Sequence, residues 1–282
     1  MEHYSNYDLW SSSTMRTHSI AKDYFIPADE EELKTLVHTL FVEGRKYFLL
    51  SGGSNVVFDD YVETAIINLT KVNNTIQTID GVTEVGCSLR IQQLIQHLKE
   101  NHLGGIEYLY SLPARVGGCI YMNAGRGKKL NQSISDFIES VQVYSPSEKV
   151  TKQIVVTKSD FEYRKSSFQK KNHIILSAFF RFPEQDPVVT EEKIKERLDY
   201  SNKYLSADKP SCGSVYLTGN RILFRLMKGM SIGDACFSKK TSNWITNRGN
   251  AKGSEVIRLI KRGLLIHKLT FQSCETEIRI VD

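Results

Sequence analysis

The sequence predicts an α+β protein. Three observations lead there. Helix-period apolar patterns occur near both ends of the chain, a strand-rich stretch with polar turns runs from about 140 to 182, and PEQDP at 183–187 separates that stretch from a further helix. Two prolines and two acids in five residues end a strand and mark a boundary.

The elements follow in chain order. Residues 29–46 predict a helix, because Leu33, Leu36, Val37, Leu40 and Phe41 recur at helical spacing. Asp29 with Glu32 forms a capping-box pattern, and Gly44 suits the end. YFLL at 47–50 reads as a short strand, followed by the loop SGGSN, and VVF at 56–58 and TAIINL at 64–69 read as strands. Residues 15–70 are therefore β-α-β-like. A second helix is predicted over Ser88–His102, with Ile91, Leu94, Ile95 and Leu98 on one face and Ser88 as its N-cap. SVQVYS at 140–145, KQIVVT at 152–157 and HIILSAFFRF at 173–182 predict an antiparallel sheet. Thr190-Glu191-Glu192-Lys193 opens a helix to about Tyr204. A strand near CGSVY, a short helix near 221–229, a helix over 254–266 and a last strand, TEIRIV at 276–281, complete the chain.

Composition narrows the function classes. The 282 residues, 40% apolar and 24% charged, are those of an ordinary globular protein of about two domains. Net charge is +5 and the basic residues are scattered, so an anionic small ligand fits and nucleic-acid binding is not expected. The start, MEHYSNYDLW, has no basic segment followed by an apolar run, and IILSAFF is too short to span a bilayer, so neither export nor membrane insertion is expected. Five widely spaced cysteines without a CxxC pair read as reduced cytosolic thiols. Seven histidines without HxH or HExxH spacing give no expectation of a metal.

Several short stretches carry chemistry. In SGGSN, Ser51 to Asn55, paired glycines free backbone amides to face an anion, although a plain turn reads equally well. The loop fits neither GxGxxG nor GxxxxGK[ST]. SLPARVGGCIYMNAG at 111–125 suits backbone lying close against a flat or phosphorylated ligand, or a glycine packing contact at a helix turn. In EYRKSSF at 162–168, Arg164 could fork onto a carboxylate or sit on the surface. Ser214 in PSCGSVY is open to four readings: nucleophile, phosphate-binding hydroxyl, proton donor or turn residue. The hydrolase elbow GxSxG is absent, because Tyr216 stands where its last glycine belongs. Glu277 and Arg279 share one face of the predicted last strand, as a surface ion pair or a site.

The order of these pieces is more specific than any one of them. SGGSN, LPARVGGCIYMNAG, YRKSSF, PSCGSV, SNWITNRGNA and ETEIRIV together resemble the UDP-N-acetylenolpyruvoylglucosamine reductases, over about residues 14–282. The YRxSxF form without a long insertion is similar to the shorter of the family's two types. The resemblance implies an FAD-binding fold of two N-terminal α+β subdomains, 1–70 and 71–183, with a C-terminal α/β substrate-binding domain at 184–282. It implies FAD as cofactor, NADPH as reductant, a nucleotide-sugar enolpyruvyl ether as substrate and a cytoplasmic setting. By position, Arg164 matches the arginine that holds and polarises the enolpyruvyl carboxylate. Glu277 matches the glutamate that stabilises enolate-like charge, and Ser214 the serine that protonates C2. Ser51, Gly52, Gly53, Ser54, Asn55, Pro113, Gly117, Gly118, Asn123, Ala124, Gly125 and Arg279 match positions around the flavin.

The chain also departs from the family pattern. Leu217-Thr218-Gly219 replaces Lys-Asn-Pro after GSV(F/Y), Cys236 replaces a glutamine, and Thr241 replaces a histidine. NAGRGK at 123–128 stands for NAGAYG, and IAKDY at 20–24 for IGGPA. Losing a cation that meets a diphosphate removes a charge-assisted hydrogen bond, about 1.5–3 kcal/mol. Arg126, Lys128, Arg221 and Arg225 are candidates to replace that cation. Three functions remain in view: the standard reductase, a relative acting on another enolpyruvyl or unsaturated acid, and a non-catalytic FAD- or nucleotide-sugar-binding module. A flavin oxidase is a weaker fourth, since no His or Cys is marked for covalent flavin attachment.

Overall fold

The computed structural model describes residues 1–127, 130, 132–170, 172–206 and 208–282. The chain is α+β and forms two compact units. The first comprises residues 1–3, 25–52 and 67–198; the second comprises 4–24, 53–66 and 199–282. The helices are α1 Glu30–Val42, α2 Ile91–Glu100, α3 Val116–Tyr121, α4 Pro187–Tyr204, α5 Arg221–Leu226 and α6 Gly253–Leu269.

In the first unit, a five-stranded antiparallel sheet runs Val150–Val155, Ile138–Ser145, Ile174–Phe180, Val82–Gly86, Ile76–Ile79. Its three central-segment strands lie where the sequence expects them. The hairpin Ile76–Ile79/Val82–Gly86 is an addition to that expectation, turning through Asp80 at φ 49° and Gly81 at φ 77°. Two consecutive left-handed residues of this kind suit a tight hairpin, for which Asp-Gly is favoured. Val141, Val143, Leu176, Ala178 and Phe180 are buried in the sheet, and Ile91, Leu94, Ile95 and Leu98 are buried on α2.

Three local expectations change in this unit. Helix α1 forms only half of the expected capping box: the Asp29 carboxylate accepts from the Glu32 amide at 2.9 Å, but the Glu32 carboxylate accepts from the Ala28 amide at 2.8 Å instead of from Asp29, and Phe41 is 43% exposed and lies off the buried face. Ser88 does not cap α2, which begins at Ile91; its hydroxyl donates to the Leu69 carbonyl and accepts from the Asn73 amide. Helix α4 starts at Pro187 rather than near Thr190, because Pro suits a first helical position and the Asp186 carboxylate accepts from the Val188 amide at 2.8 Å. The PEQDP boundary therefore falls inside the first unit, which holds α4 as far as Leu198.

In the second unit, a four-stranded antiparallel sheet runs Ser211–Ser214, Trp244–Asn247, Ala235–Phe237, Ser231–Ile232. Helix α6 packs on it through Val256, Leu259 and Ile260, all buried. The predicted last strand divides in two. Glu275–Thr276 pairs antiparallel with Tyr216–Thr218, whereas Arg279–Val281 pairs parallel with Val56–Phe58. The chain changes partner at Glu277–Ile278, so simple alternation fails there: Ile278 is buried but Ile280 is 41% exposed. Among the described residues, no helix is long and apolar enough to cross a membrane, and no cluster of His, Cys, Asp or Glu could hold a metal ion.

Candidate active site

In the first unit, glycines let two loops meet backbone to backbone. A Cβ at Gly52 would lie 3.0 Å from the Pro113 carbonyl and 3.2 Å from the Ala114 Cα, and one at Gly118 would lie 3.1 Å from the Ser51 hydroxyl. A Cβ at Gly117 would lie 2.9 Å from that of Cys87. The start of α3 is locked there, the Gly117 amide donating to the Cys87 carbonyl and the Val116 amide to the Leu89 carbonyl, each at 2.9 Å. Ser51, Gly52, Pro113, Gly117 and Gly118 therefore belong to one closely packed cradle, in which the absent glycine side chains let the neighbouring loops approach.

Arg164 braces the next part of that region. Its Nη2 donates to the Gly125 carbonyl at 2.9 Å and its Nη1 to the Asn123 carbonyl at 3.5 Å. Both Arg164 and Asn123 are left-handed, at φ 60° and 42°. Non-glycine residues there are strained and cluster at functional sites. The buried Asn123 donates its side-chain amide to the Glu162 carbonyl at 2.9 Å, while its Oδ1 has no hydrogen-bond partner among the described residues. Ala124 is held by bonds from its amide to the Cys119 carbonyl and to its carbonyl from the Ile134 amide, both 2.8 Å. Burial pushes the Cys119 thiol up to about 12, against the pull of the Arg164 charge, so it remains a protonated packing group. The half-buried Arg164 is thus no plain surface arginine: it ties EYRKSSF to the NAG loop.

In the second unit, the rest of SGGSN meets the C-terminal residues. Gly53 is left-handed at φ 63°, and a Cβ on it would lie 2.1 Å from the Ser12 carbonyl. Ser54 follows in the turn, and the Asn55 side-chain amide donates to the Glu277 carbonyl at 3.1 Å. The Arg279 amide donates to the Asn55 carbonyl at 3.0 Å. Gly213, at φ 72°, bends the chain immediately before the half-buried Ser214. The Glu277 amide donates to the Val215 carbonyl at 2.9 Å, so Ser214 and Glu277 are one residue apart through a hydrogen bond. The structure thus joins Asn55, Ser214, Glu277 and Arg279 within this unit, and Arg164 with Asn123 and Gly125 within the other.

The departing positions have structural partners. Cys236 is buried, its thiol donating to the Phe237 carbonyl at 3.3 Å. Thr241 donates to the Tyr204 carbonyl at 3.0 Å, and its amide donates to Ser238 Oγ at 2.9 Å. Leu217 and Thr218 lie in the strand paired with Glu275–Thr276, and Gly219 precedes α5, where Arg221 and Arg225 are exposed. Arg126 is exposed, and Lys128 lies outside the described residues.

An FAD binding domain model matches residues 21–152, and a UDP-N-acetylenolpyruvoylglucosamine reductase C-terminal domain model matches 205–264. UDP-N-acetylenolpyruvoylglucosamine reductase of Francisella tularensis is 32% identical over 262 residues, covering 88% of this chain and 89% of the relative. The chain belongs to the UDP-N-acetylenolpyruvoylglucosamine reductase family. Another family member, from Syntrophotalea carbinolica, is 30% identical, covering 93% of this chain and 88% of its own length. The fold is shared with the Thermus caldophilus UDP-N-acetylenolpyruvylglucosamine reductase structure, at a TM-score of 0.80 and 24% identity, covering 100% of this chain and 98% of that one. The family pattern therefore extends through both units. Sequence reading missed one residue beside Ser214: Asn243, which bonds both Val215 and Tyr216 and lies inside the quoted stretch SNWITNRGNA.

Proposed function

We propose that the protein reduces UDP-N-acetylenolpyruvoylglucosamine to UDP-N-acetylmuramate, as an FAD-dependent oxidoreductase of peptidoglycan precursor synthesis. The observation that carries this reading is end-to-end membership of the reductase family, with both an FAD-binding and a reductase C-terminal model matched. NADPH as the reductant, the cytoplasm as the setting, FAD-binding subdomains at 1–70 and 71–183 and a substrate-binding domain at 184–282 are part of the proposal.

The cradle fits a flavin nucleotide. The buried Asn123 Oδ1, without a hydrogen-bond partner among the described residues, is a feature that a polar ligand completes. The holding residues would be Ser51, Gly52, Gly53, Ser54, Asn55, Pro113, Gly117, Gly118, Asn123, Ala124, Gly125 and Arg279. FAD, when bound, supplies the hydride chemistry. The chain's own residues orient the substrate and move the proton. Arg164, already steadied by the Asn123 and Gly125 carbonyls, orients the enolpyruvyl carboxylate. Glu277 stabilises enolate-like charge on the substrate, and the Ser214 hydroxyl delivers the proton to C2.

A second reading keeps the chemistry and changes the substrate to another enolpyruvyl or unsaturated acid. Leu217 where a lysine is usual, with Cys236 and Thr241 engaged in packing bonds, favours it. One experiment separates the two. Purified protein loaded with FAD is bleached anaerobically with NADPH and mixed with UDP-N-acetylenolpyruvoylglucosamine. Rapid reoxidation with UDP-N-acetylmuramate as product supports the first reading; reoxidation no faster than without substrate rejects it.

A further inference from the structure

We propose that Asn243 is a positioning residue for proton transfer, setting Ser214 and Glu277 relative to each other. The proposal rests on the reductase reading above. Asn243 surrounds one dipeptide, Val215–Tyr216. Its carbonyl accepts from the Val215 amide at 2.9 Å, its Oδ1 accepts from the Tyr216 amide at 2.9 Å, and its Nδ2 donates to the Tyr216 carbonyl at 2.8 Å. On the remaining side, the Val215 carbonyl accepts from the amides of Glu277 at 2.9 Å and Ile278 at 3.4 Å. Every main-chain polar group of the dipeptide is thus engaged, by Asn243 or by the segment carrying Glu277. Ser214 is its immediate N-terminal neighbour.

The side chain stands in for a missing strand. Ser214 pairs with Trp244 at the end of the ladder between Ser211–Ser214 and Trp244–Asn247, and that ladder is irregular between Ser211 and Ser214. Beyond it, a carboxamide offers the same donor and acceptor as a peptide group, and makes both bonds to Tyr216. The backbone narrows the choice further. Asn243 has φ 64°, a left-handed conformation that asparagine tolerates better than most residues. Glycine would meet that demand and lose both side-chain bonds. Aspartate would keep the acceptor for the Tyr216 amide but face the Tyr216 carbonyl without a donor. Alanine would meet neither requirement.

Tyr216 makes the clamp stiff. It is 2% exposed, its ring stacks on Phe224 at 5.4 Å, and its hydroxyl donates to the Ile260 carbonyl at 2.8 Å. The dipeptide is therefore fixed by the core through its side chain and by Asn243 through its backbone. Releasing the second anchor lets the Ser214 and Glu277 segments shift against each other while the core stays packed.

The test uses FAD-loaded wild type, N243G and N243D. Four quantities are measured: flavin bleaching by NADPH, flavin reoxidation by UDP-N-acetylenolpyruvoylglucosamine, the solvent deuterium isotope effect on that reoxidation, and hydrogen exchange at the Tyr216 amide. N243G is expected to leave bleaching within about twofold and to slow reoxidation roughly 10–100-fold, the scale of a small misplacement of reacting groups. It should also raise the isotope effect and speed Tyr216 exchange. N243D carries the same comparison if N243G does not fold. Faster Tyr216 exchange with unchanged reoxidation and isotope effect would reduce Asn243 to a structural clamp and overturn the proposal. Wild type that is not reoxidised by the substrate would instead overturn the reductase reading, and the inference with it.

Discussion

Asn55 donates its side-chain amide to the main-chain carbonyl of Glu277 at 3.1 Å. Its own carbonyl accepts from the Arg279 amide at 3.0 Å, so one residue of SGGSN holds both sides of the point where the C-terminal chain changes strand partners. Asn55→Ala removes the first bond and leaves the second. The expected cost is about 1 kcal/mol, that of an ordinary hydrogen bond, together with slower substrate reduction through a looser Glu277. Urea unfolding and turnover measured on the same preparation check this. An unchanged midpoint with unchanged turnover would remove Asn55 from the site.

Two glycines with similar dihedrals should respond differently. Gly213 and Gly53 have φ 72° and 63°, but a Cβ at Gly213 meets nothing within 4 Å, whereas at Gly53 it comes within 2.1 Å of the Ser12 carbonyl. Gly213→Ala should therefore cost only the left-handed strain, about 1–2 kcal/mol. Gly53→Ala must also displace backbone and should cost clearly more. Unfolding midpoints of the two variants decide it, and equal losses would show that the 12–14 segment yields easily.

Helix α1 was legible because its signals are local: a periodic face and Asp29 three residues before Glu32. The hairpin over 76–86 was legible in principle through Asp80-Gly81, but its short, partly exposed strands offer little apolar alternation. Ser88 looked like a cap because caps are common, and only tertiary structure brings Leu69 and Asn73 to its hydroxyl. The last strand illustrates the same limit. TEIRIV has a uniform strand pattern, yet its halves pair with Tyr216–Thr218 and Val56–Phe58, a choice made by distant segments. In the candidate site, loop glycines could be read from local chemistry, while the proposed roles of Arg164, Ser214 and Glu277 needed the family pattern. Asn243 was hidden because its function depends on facing Tyr216.

Ser214→Ala separates proton donation from the earlier step. If Ser214 delivers the proton to C2, the variant should still be bleached by NADPH, while reoxidation by substrate falls by about 10²–10⁴-fold, the usual contribution of a positioned acid. Stopped-flow absorbance follows both phases in one experiment. Equal slowing of both phases would indicate disturbed flavin binding, and undiminished reoxidation would return Ser214 to the role of a turn residue beside Gly213.

The buried thiols give a pH dependence with a definite sign. Burial raises Cys87 to about 11 and Cys119 to about 12, from an ordinary value of 9.0. Below the ordinary value, both thiols are protonated in the folded and unfolded chain, and their stabilising contribution is fully present. As pH rises through 9 toward 11 and 12, the unfolded chain loses these protons first. Stability then falls, by up to about 1.4 kcal/mol per pH unit for each thiol. Urea midpoints across this window, at fixed excess FAD, should decline for wild type and decline less steeply for Cys119→Ala. A Cys119→Ala slope equal to that of wild type would mean that Cys119 ionises as readily in the folded protein as in the unfolded chain, and that water reaches it beside Arg164.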